Sequence, residues 1–450
     1  MKASAFVYPW DVNGDPDAPA RIAALGVGQV TLAAAYHSTR ALTPRHPRHR
    51  IVTAEYASLL YPLGRRWEGR TLRPYPAGDW APGDAFGEAA DAVARAGLEV
   101  HSWVVLAHNS RLGAEHPDTS VVNAYGDRYP WAPCIAQPAT RAYLVDLAAE
   151  AAVRPGAAGT ELESLGWYGL QHLHAHDKTG GVGLGDAGQY LMSLCFCATC
   201  RAGYGGRGLD ADALAVAVRA ALEPLWQGAA DDGGWAGVEK LLGADTAAAT
   251  RAWREETART LQEEAVAAVR AAAPGDFRIL LHADPVTYHC GANAGVDPAH
   301  ILSVADGVVV PCGGGPGLLT PFVEAGRGAV AGQGTMAGRG AVSGQGAVSG
   351  EGAVTGSGAA AGPGTVTGQG AVAGEGAVAG EGAVARTGAV IAANFTIVSG
   401  MGGSPGTLAV DAARAREFGA TEIRLYHAGL ASDADLESVR AALSGSRASS

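Results

Sequence analysis

The sequence predicts a (β/α)8 TIM barrel, a fold of the α/β class. Two observations lead to this prediction: eight strand-like runs recur along the chain, and helical patterns lie between most of them. With 450 residues, 48% of them apolar, the chain is long enough for one large barrel. A doubly wound open sheet is the alternative, but no GxGxxG fingerprint follows the first strand-like run.

The predicted strands are short apolar runs bounded by turn residues. They cover 4–8, 27–36, 98–107, 160–168, 277–283, 306–311, 389–398 and 421–427. The predicted helices between them cover 84–97, 139–153, 210–226, 407–419 and 433–443. Asp210 and Asp433 stand at N-cap positions of these helices. A long helical stretch over 245–272 predicts extra helices between strands four and five.

A glycine-rich repeat interrupts the barrel pattern before strand seven. Residues 326–385 form ten consecutive six-residue units of the GxGAVx type, such as GQGAVA. Each unit offers one small apolar side chain, which is a poor offset for the backbone entropy that glycine loses on ordering. We therefore predict a flexible low-complexity insert; a hexapeptide β-solenoid is the alternative.

The insert sets the predicted domain organisation. Barrel strands one to six with their helices occupy 1–325, and the repeat insert occupies 326–385. Strands seven and eight and the last helix occupy 386–443, and 444–450 form a disordered tail.

Charge and cysteine content restrict the compartment and the partners. The formal net charge of −11 argues against binding to nucleic acid or to an anionic membrane surface. No apolar run is long enough to span a membrane, and the N-terminus lacks the pattern of a signal peptide. Six cysteines without such a signal predict a cytoplasmic protein, in which clustered cysteines are metal ligands or redox groups more often than disulfides.

Functional residues of barrels collect at the C-terminal ends of the strands, which points first to Glu163. In the run TELESLGWY, alternation places Glu161 and Glu163 on the inner face and Leu162 on the helix-facing side. A carboxyl group inside a barrel has a raised pKa unless it is paired, which suits a general acid. The alternative is a structural glutamate bonded to arginine or to backbone.

His282 and Asp284 share one face of strand five. Asp284 is predicted as a second catalytic carboxylate, with an oriented base, a metal ligand and a structural rim pair as alternatives. If Glu163 and Asp284 face each other, they form the carboxylate pair of a glycosidase, and their separation decides between retention and inversion.

Aromatic and histidine side chains near the strand ends predict a small carbohydrate substrate, because aromatic rings stack on the apolar face of a sugar. Barrel-rim packing is the alternative for any single ring. The segment HLHAHDK adds three histidines at alternate positions, for which substrate contact, metal binding and simple exposure stay open. The predicted substrate-binding residues are Trp10, Trp103, Trp167, Tyr168, His174, His282 and Tyr426.

Half of the cysteines lie in the short segment LCFCATC, at Cys195, Cys197 and Cys200. A C-x-C-x-x-C segment can direct three thiolates at one tetrahedral ion, and zinc needs a fourth ligand. Cys134 follows strand three, whose C-terminal end neighbours that of strand four, so it can complete the site. We predict a structural zinc bound by these four residues; free cysteines or a C-x-x-C redox pair are the alternatives.

A cysteine after strand three and a C-x-C-x-x-C segment after strand four resemble the zinc cluster of the β-galactosidases of glycoside hydrolase family 42. The stretch from Cys134 through ELESLGWYG to CFCATC also resembles barrel proteins classed as glycoside hydrolases. The resemblance covers about residues 98–200 and implies that Glu163 is the acid/base. Two departures stand out: Leu162 replaces the asparagine that this clan keeps before its acid/base, and AVIAANFTIVSG lacks the strand-seven nucleophile glutamate.

Three functional hypotheses follow. The first is a glycosidase-like hydrolase with Glu163 as general acid and Asp284 as base or nucleophile. The second is a metal-dependent barrel isomerase or hydrolase that uses Glu163, His282, Asp284 and His289. The third is a non-catalytic sugar-binding barrel, which the missing strand-seven glutamate favours.

Overall fold

Eight parallel strands form a closed barrel in the computed structural model, which describes residues 1–171, 178–230, 233–327 and 388–447. Each strand pairs with its neighbours in chain order, and the eighth pairs with the first, so the predicted TIM barrel is confirmed. The strands are β1 (Lys2–Val7), β2 (Gln29–Tyr36), β3 (Glu99–Val105), β4 (Ala157–Glu163), β5 (Arg278–Asp284), β6 (Gly307–Pro311), β7 (Val390–Thr396) and β8 (Glu422–Tyr426).

Strand β4 departs most from its predicted range. The sequence predicts extension to residue 168, but the strand ends at Glu163 because Ser164 has a left-handed backbone with φ 58°. The alternation of inward and outward side chains stops at this residue. Predictions based on alternation therefore hold for Glu161 and Glu163 and fail for the residues that follow.

Helices cover the outside of the barrel. They are α1 (Pro9–Val12), α2 (Ala18–Ala23), α3 (Ala85–Arg95), α4 (Ser110–Glu115), α5 (Pro138–Ala152), α6 (Asp186–Met192), α7 (Ala198–Gly205), α8 (Ala211–Trp226), α9 (Gly234–Leu242), α10 (Ala244–Ala272), α11 (Pro298–Val304), α12 (Leu408–Glu417) and α13 (Asp433–Arg447). Residues 320–327 are also helical. Helices α6 to α10 form the extra layer predicted between strands four and five, and α10 packs along α5.

The predicted N-cap is confirmed for α8 and is wrong for α13. The Asp210 side chain accepts a hydrogen bond from the Ala213 amide (2.8 Å), as expected of an N-cap. Asp433, in contrast, is the first residue of α13, so the N-cap is Ser432 and not Asp433. The cap there is reciprocal: the Ser432 hydroxyl accepts from the Asp435 amide (3.1 Å), and the Asp435 carboxylate accepts from the Ser432 amide (3.2 Å).

Short strands extend the loops of the barrel. Thr39–Leu42 pairs with Ile51–Ala54, and Ser120–Val122 pairs with Arg128–Pro133, each antiparallel. These loops follow β2 and β3, so they rise from the C-terminal end of the barrel, where the predicted site residues lie.

The core has two parts, divided by the strands. Outward side chains such as Leu162 and Leu281 pack under the helices, whereas Phe6, Trp103 and Leu280 fill the barrel interior. Charged side chains are buried in the same interior, among them Glu161 and Arg424. Among the described residues, no helix is long and apolar enough to cross a membrane. Apart from residues 326 and 327, the repeat insert lies outside the described residues, and its flexibility stays a prediction.

Candidate active site

A cavity of about 760 Å³ lies at the C-terminal ends of the strands, and we call it the mouth cavity. Its volume is within the range of small-molecule sites. Residues of β2, β4, β5 and β8, Tyr8 directly after β1, and residues of the loop after β4 meet in its lining. Among the lining residues are Tyr8, Tyr36, Glu163, Tyr168, Asp284 and Tyr426.

Glu163, the last residue of β4, is 3% exposed and lies at the base of the mouth cavity. Its Oε2 atom accepts two hydrogen bonds, one from Trp103 Nε1–H (2.8 Å) and one from the Tyr426 hydroxyl (3.2 Å). Its Oε1 atom has no hydrogen-bond partner among the described residues. Two donors therefore fix the carboxyl group through one oxygen and leave the other for a ligand.

Burial raises the pKa of Glu163 to about 7, although the hydrogen bonds from Trp103 and Tyr426 lower it. Desolvation dominates because no lysine or arginine of the described ranges pairs with this carboxyl group. An acid with a pKa near neutrality is protonated often enough to donate and is acidic enough to release the proton.

Glu161, two residues earlier on the same face, is the structural partner of an arginine. Its Oε1 accepts from Arg424 Nε–H (2.6 Å) and from the Thr31 hydroxyl (3.2 Å). Arg424 also donates to Glu422 through Nη1 (2.8 Å). Both glutamates point inward as predicted, and the arginine pairing that was the alternative for Glu163 occurs at Glu161 instead.

Asp284 is half-buried at the wall of the same cavity. Its Oδ1 accepts from the Val286 amide (2.8 Å), and its Oδ2 lies 3.0 Å from His289 Nδ1. The second ring nitrogen of His289 lies 3.8 Å from an Asp186 carboxylate oxygen. Burial lowers the pKa of His289, but the two carboxylates outweigh it, so the pKa is raised overall. Each oxygen of Asp284 is thus held by an N–H group.

The structure separates the predicted substrate-binding residues into two groups. Tyr168 and Tyr426 line the mouth cavity, whereas Trp103 and His282 lie beneath Glu163 and are not part of the lining. Trp10 stacks on the far side of Tyr8, with ring centroids 4.6 Å apart.

Trp167 does not line the mouth cavity. The Trp167 indole donates to the Arg254 carbonyl oxygen (3.0 Å) and packs against the Arg254 side chain. Trp167 was predicted to face inward because it lies in the alternating run 160–168. The left-handed backbone of Ser164 ends the strand, so this alternation does not extend to Trp167. His174 and the rest of HLHAHDK except Lys178 lie outside the described residues.

Other residues of the lining have no role among the predictions from the sequence. The Tyr8 hydroxyl donates to the Tyr36 hydroxyl (2.9 Å) and lies 2.9 Å from His427 Nδ1. Burial lowers the pKa of His427 to about 3, so its ring is neutral. His108 stacks on Tyr168 with centroids 4.2 Å apart. The sequence does contain a signal for these lining residues, because tyrosine and histidine stand at or after the ends of several strands.

Two residues with strained backbone lie beside Glu163 and Tyr426 at the mouth cavity. Ser164 (φ 58°) and His427 (φ 64°) are the non-glycine residues with left-handed backbone among those described. They directly follow Glu163 and Tyr426, the two residues joined by the hydrogen bond across the cavity. Strain of this kind costs about 1–3 kcal/mol and clusters at functional sites.

The four predicted metal ligands form a second cluster, the cysteine quartet: Cys134, Cys195, Cys197 and Cys200. Their sulfur atoms all lie within 4.8 Å of one another. Cys134 Sγ is 3.6 Å from Cys197 Sγ, 3.6 Å from Cys200 Sγ and 3.7 Å from Cys195 Sγ. Zn–S bonds of about 2.3 Å in a tetrahedron place sulfur atoms about 3.8 Å apart. The quartet therefore has the dimensions of a four-thiolate metal site.

Backbone groups also support the quartet. The amides of Val122 and Cys197 each donate to Cys195 Sγ at 3.5 Å. Hydrogen bonds from the other thiols lower the pKa of Cys197, so the arrangement favours at least one thiolate. Cys290 and Cys312 lie outside the quartet.

Comparison with known proteins finds the same fold in solved structures of several glycoside hydrolases. No protein-family model and no curated protein matches the chain. The solved structures that match include α-L-fucosidase isoenzyme 2 from Paenibacillus thiaminolyticus, with TM-score 0.51 and 11% identity over 99% of this chain and 49% of that one. This chain thus spans about half the length of the fucosidase.

Two further matches cover nearly the whole of both chains. The PgaB (BpsB) glycoside hydrolase domain from Bordetella bronchiseptica has TM-score 0.50 and 14% identity over 98% of this chain and 99% of that one. The catalytic domain of β-amylase from Paenibacillus polymyxa has TM-score 0.50 and 12% identity over 99% and 98%. At these identities the likeness shows the fold alone, a TIM barrel.

Proposed function

We propose that this protein is a glycosidase-like hydrolase that acts on a carbohydrate by two-carboxylate acid/base chemistry. The observation that supports it most is Glu163: a buried, unpaired carboxyl group at the base of the mouth cavity, with its pKa raised to about 7 by burial. In this proposal Glu163 is the general acid. Its Oε1 donates the proton to the glycosidic oxygen while Trp103 and Tyr426 hold Oε2.

Asp284 is the proposed base or nucleophile. It lines the same cavity as Glu163, and the Val286 amide and His289 fix the direction of its carboxylate. Both of its oxygens already accept hydrogen bonds, which favours activation of a water molecule over direct attack on the sugar. A separation of about 6.5–9.5 Å between the two carboxyl groups in the sugar complex corresponds to this inverting chemistry.

Tyr168 and Tyr426 are the proposed sugar-contacting rings. Both line the mouth cavity beside Glu163, and His108 stacks behind Tyr168. A rigid ring with a polar edge contacts both the C–H face and the hydroxyl groups of a sugar.

A non-catalytic sugar-binding barrel is the second candidate, because β7 ends in Asn394, Phe395 and Thr396 without a glutamate. The metal-dependent alternative receives less support. Within the described part of the chain, the cysteine quartet is the one group of three or more ligand side chains close enough to hold an ion. Glu163, His282, Asp284 and His289 do not form such a group.

Turnover of Glu163→Gln separates the two candidates. On oligosaccharides, whose leaving groups need protonation, we expect the variant to lose about 10²–10⁴-fold in kcat. On aryl glycosides with acidic phenol leaving groups, the loss should be much smaller. Glu88→Gln, a change at an exposed glutamate of α3, is the matched control. Sugar binding without turnover in the wild type would support the non-catalytic barrel.

We further propose that the cysteine quartet binds a structural zinc ion, in line with the resemblance to family 42 β-galactosidases. The ion would join the loops after β3 and β4, and reduced cysteines fit the cytoplasmic location that the sequence predicts. We expect one zinc per purified chain by elemental analysis. Cys197→Ser should lose the metal and several kcal/mol of stability, whereas Cys312→Ala should keep it. Metal-free wild-type protein of unchanged stability would contradict the proposal.

A further inference from the structure

His282 on β5 lies in the barrel interior, between the two inward glutamates of β4. Its side chain is 2% exposed. Its Nδ1 atom is 3.8 Å from Glu163 Oε2, and its Nε2 atom is 3.8 Å from Glu161 Oε2. Both distances are too long for hydrogen bonds and short enough that a small ring movement would close one of them. The imidazole therefore lies between the glutamate that is paired with Arg424 and the glutamate that is not.

The unmatched atoms around His282 indicate which contact forms. Glu161 Oε2 and His282 Nε2 are both buried without a hydrogen-bond partner among the described residues. Glu161 is held in place through its other oxygen by Arg424 and Thr31, so Oε2 is a fixed, charged acceptor. Glu163 Oε2, in contrast, already accepts two hydrogen bonds. Leaving a buried acceptor and donor unmatched is costly, and joining them satisfies both.

We propose that His282 is a positioning residue whose tautomer, set by Glu161, keeps Glu163 in its protonated form. A neutral imidazole has one N–H and one lone pair. With its proton on Nε2 and donated to Glu161, the lone pair of Nδ1 faces Glu163. A lone pair beside Oε2 opposes negative charge on Glu163 and thus favours the acid. The inference rests on the proposed role of Glu163 as general acid.

Burial keeps the His282 ring neutral, and the charge of Arg424 offsets that of Glu161. The groups that face His282 are Glu161, Glu163 and Arg424, with Phe6 and Tyr426 packed at ring-centroid distances of 5.6 and 6.4 Å. Burial lowers the pKa of His282 to about 4; Glu161 raises it and Arg424 lowers it. Because Arg424 compensates Glu161, that carboxylate orients the ring without protonating it.

The tautomer can be measured by ¹⁵N NMR of the ring nitrogens in the wild-type protein, without any substrate. His282→Gln identifies the signals by their loss. At pH 7 we expect a neutral ring that carries its proton on Nε2. A proton on Nδ1, or an imidazolium, would overturn the proposal. This result does not depend on turnover, so a failed glycosidase assay and a failed tautomer assignment are distinguishable.

Glu161→Gln supplies the second arm. Arg424 needs an acceptor, so the amide oxygen of the variant should remain with Arg424 and its NH2 group should face Nε2. The proton then moves to Nδ1 and stabilises the Glu163 carboxylate. We expect the titration midpoint of Glu163, followed by the infrared band of its protonated carboxyl group, to fall by at least about one pH unit, or tenfold.

The same substitution in a His282→Leu background is the matched control, because leucine has neither a donor nor an acceptor. It retains the effect of the Arg424 charge without the Glu161 carboxylate and lacks the tautomer effect, so the midpoint should fall by less. Equal falls in the two backgrounds would show that His282 has no part in setting the protonation of Glu163, and would overturn the proposal even if both variants are well folded by near-UV circular dichroism.

Discussion

Glu161 and Glu163 stand two residues apart on one face of β4, both are at most 3% exposed, and their environments are opposite. Glu161 is paired with Arg424 and accepts a further bond from Thr31. Among the residues that the structure describes, the donors to Glu163 are neutral and come from Trp103 and Tyr426. The same side chain is thus a structural anion in one position and a candidate acid in the next. The presence of one guanidinium group, rather than the degree of burial, separates the two roles.

Removal of the Arg424 guanidinium group should change the free energy of unfolding more than any change at Glu163. Arg424→Met leaves the Glu161 charge buried without its cation, and we expect a loss of about 3–5 kcal/mol in the free energy of unfolding, measured by urea denaturation. Glu163→Gln, which removes an unpaired carboxyl group, should cost far less at pH 7. Glu161→Gln combined with Arg424→Met should recover part of the loss. If Arg424→Met were as stable as the wild type, the ion pair would not be what distinguishes the two glutamates.

A smaller effect should appear in the pH dependence of stability. Burial raises the pKa of Glu163 from 4.5 to about 7 in the folded protein, so between these values only the unfolded chain releases the proton. Stability should therefore fall as the pH rises from about 4.5 through about 7, by up to about 3 kcal/mol from this group. Glu163→Gln lacks this loss. Its stability relative to the wild type should increase over that pH range, and a constant difference between the two proteins would argue against a raised pKa.

The smallest effect concerns the hydrogen bonds that hold Glu163. The bond from Tyr426 lowers the pKa of Glu163, so Tyr426→Phe should raise it, by about half a unit. Because the acid must be protonated, the alkaline fall in kcat/KM should then shift to higher pH. Tyr168→Phe, at a neighbouring tyrosine without a hydrogen bond to Glu163, should leave the profile in place. A shift of equal size in both variants would assign the effect to general changes in the cavity.

The sequence predicts this pair of glutamates well up to the end of β4. Alternation places Glu161 and Glu163 inward because both belong to regular strand structure. It fails immediately afterwards: Ser164 adopts a left-handed backbone, and Trp167 leaves for a contact with Arg254. A single backbone angle changed the direction of the following residues, and nothing in the local sequence indicates that angle.

The sequence also gives no indication that Arg424 pairs with Glu161. Arg424 belongs to β8, and it reaches Glu161 across the inside of the closed barrel. Strand periodicity identifies which residues face inward but not which of them meet. The approach of Cys134 to Cys195, Cys197 and Cys200 was predictable because adjacent strands deliver adjacent loops. Contacts between neighbouring strands therefore follow from strand order, and contacts across the barrel need the side-chain positions.

We propose above all that Glu163 is a buried acid that remains protonated near neutral pH. The direct measurement is its titration, followed by the infrared carbonyl band that is present in the wild type and absent in Glu163→Gln. We expect a midpoint near pH 7, because burial raises the pKa of this carboxyl group to about 7. A midpoint at the ordinary value of 4.5 would contradict it, because Glu163 would then be a carboxylate at neutral pH and could not serve as the general acid.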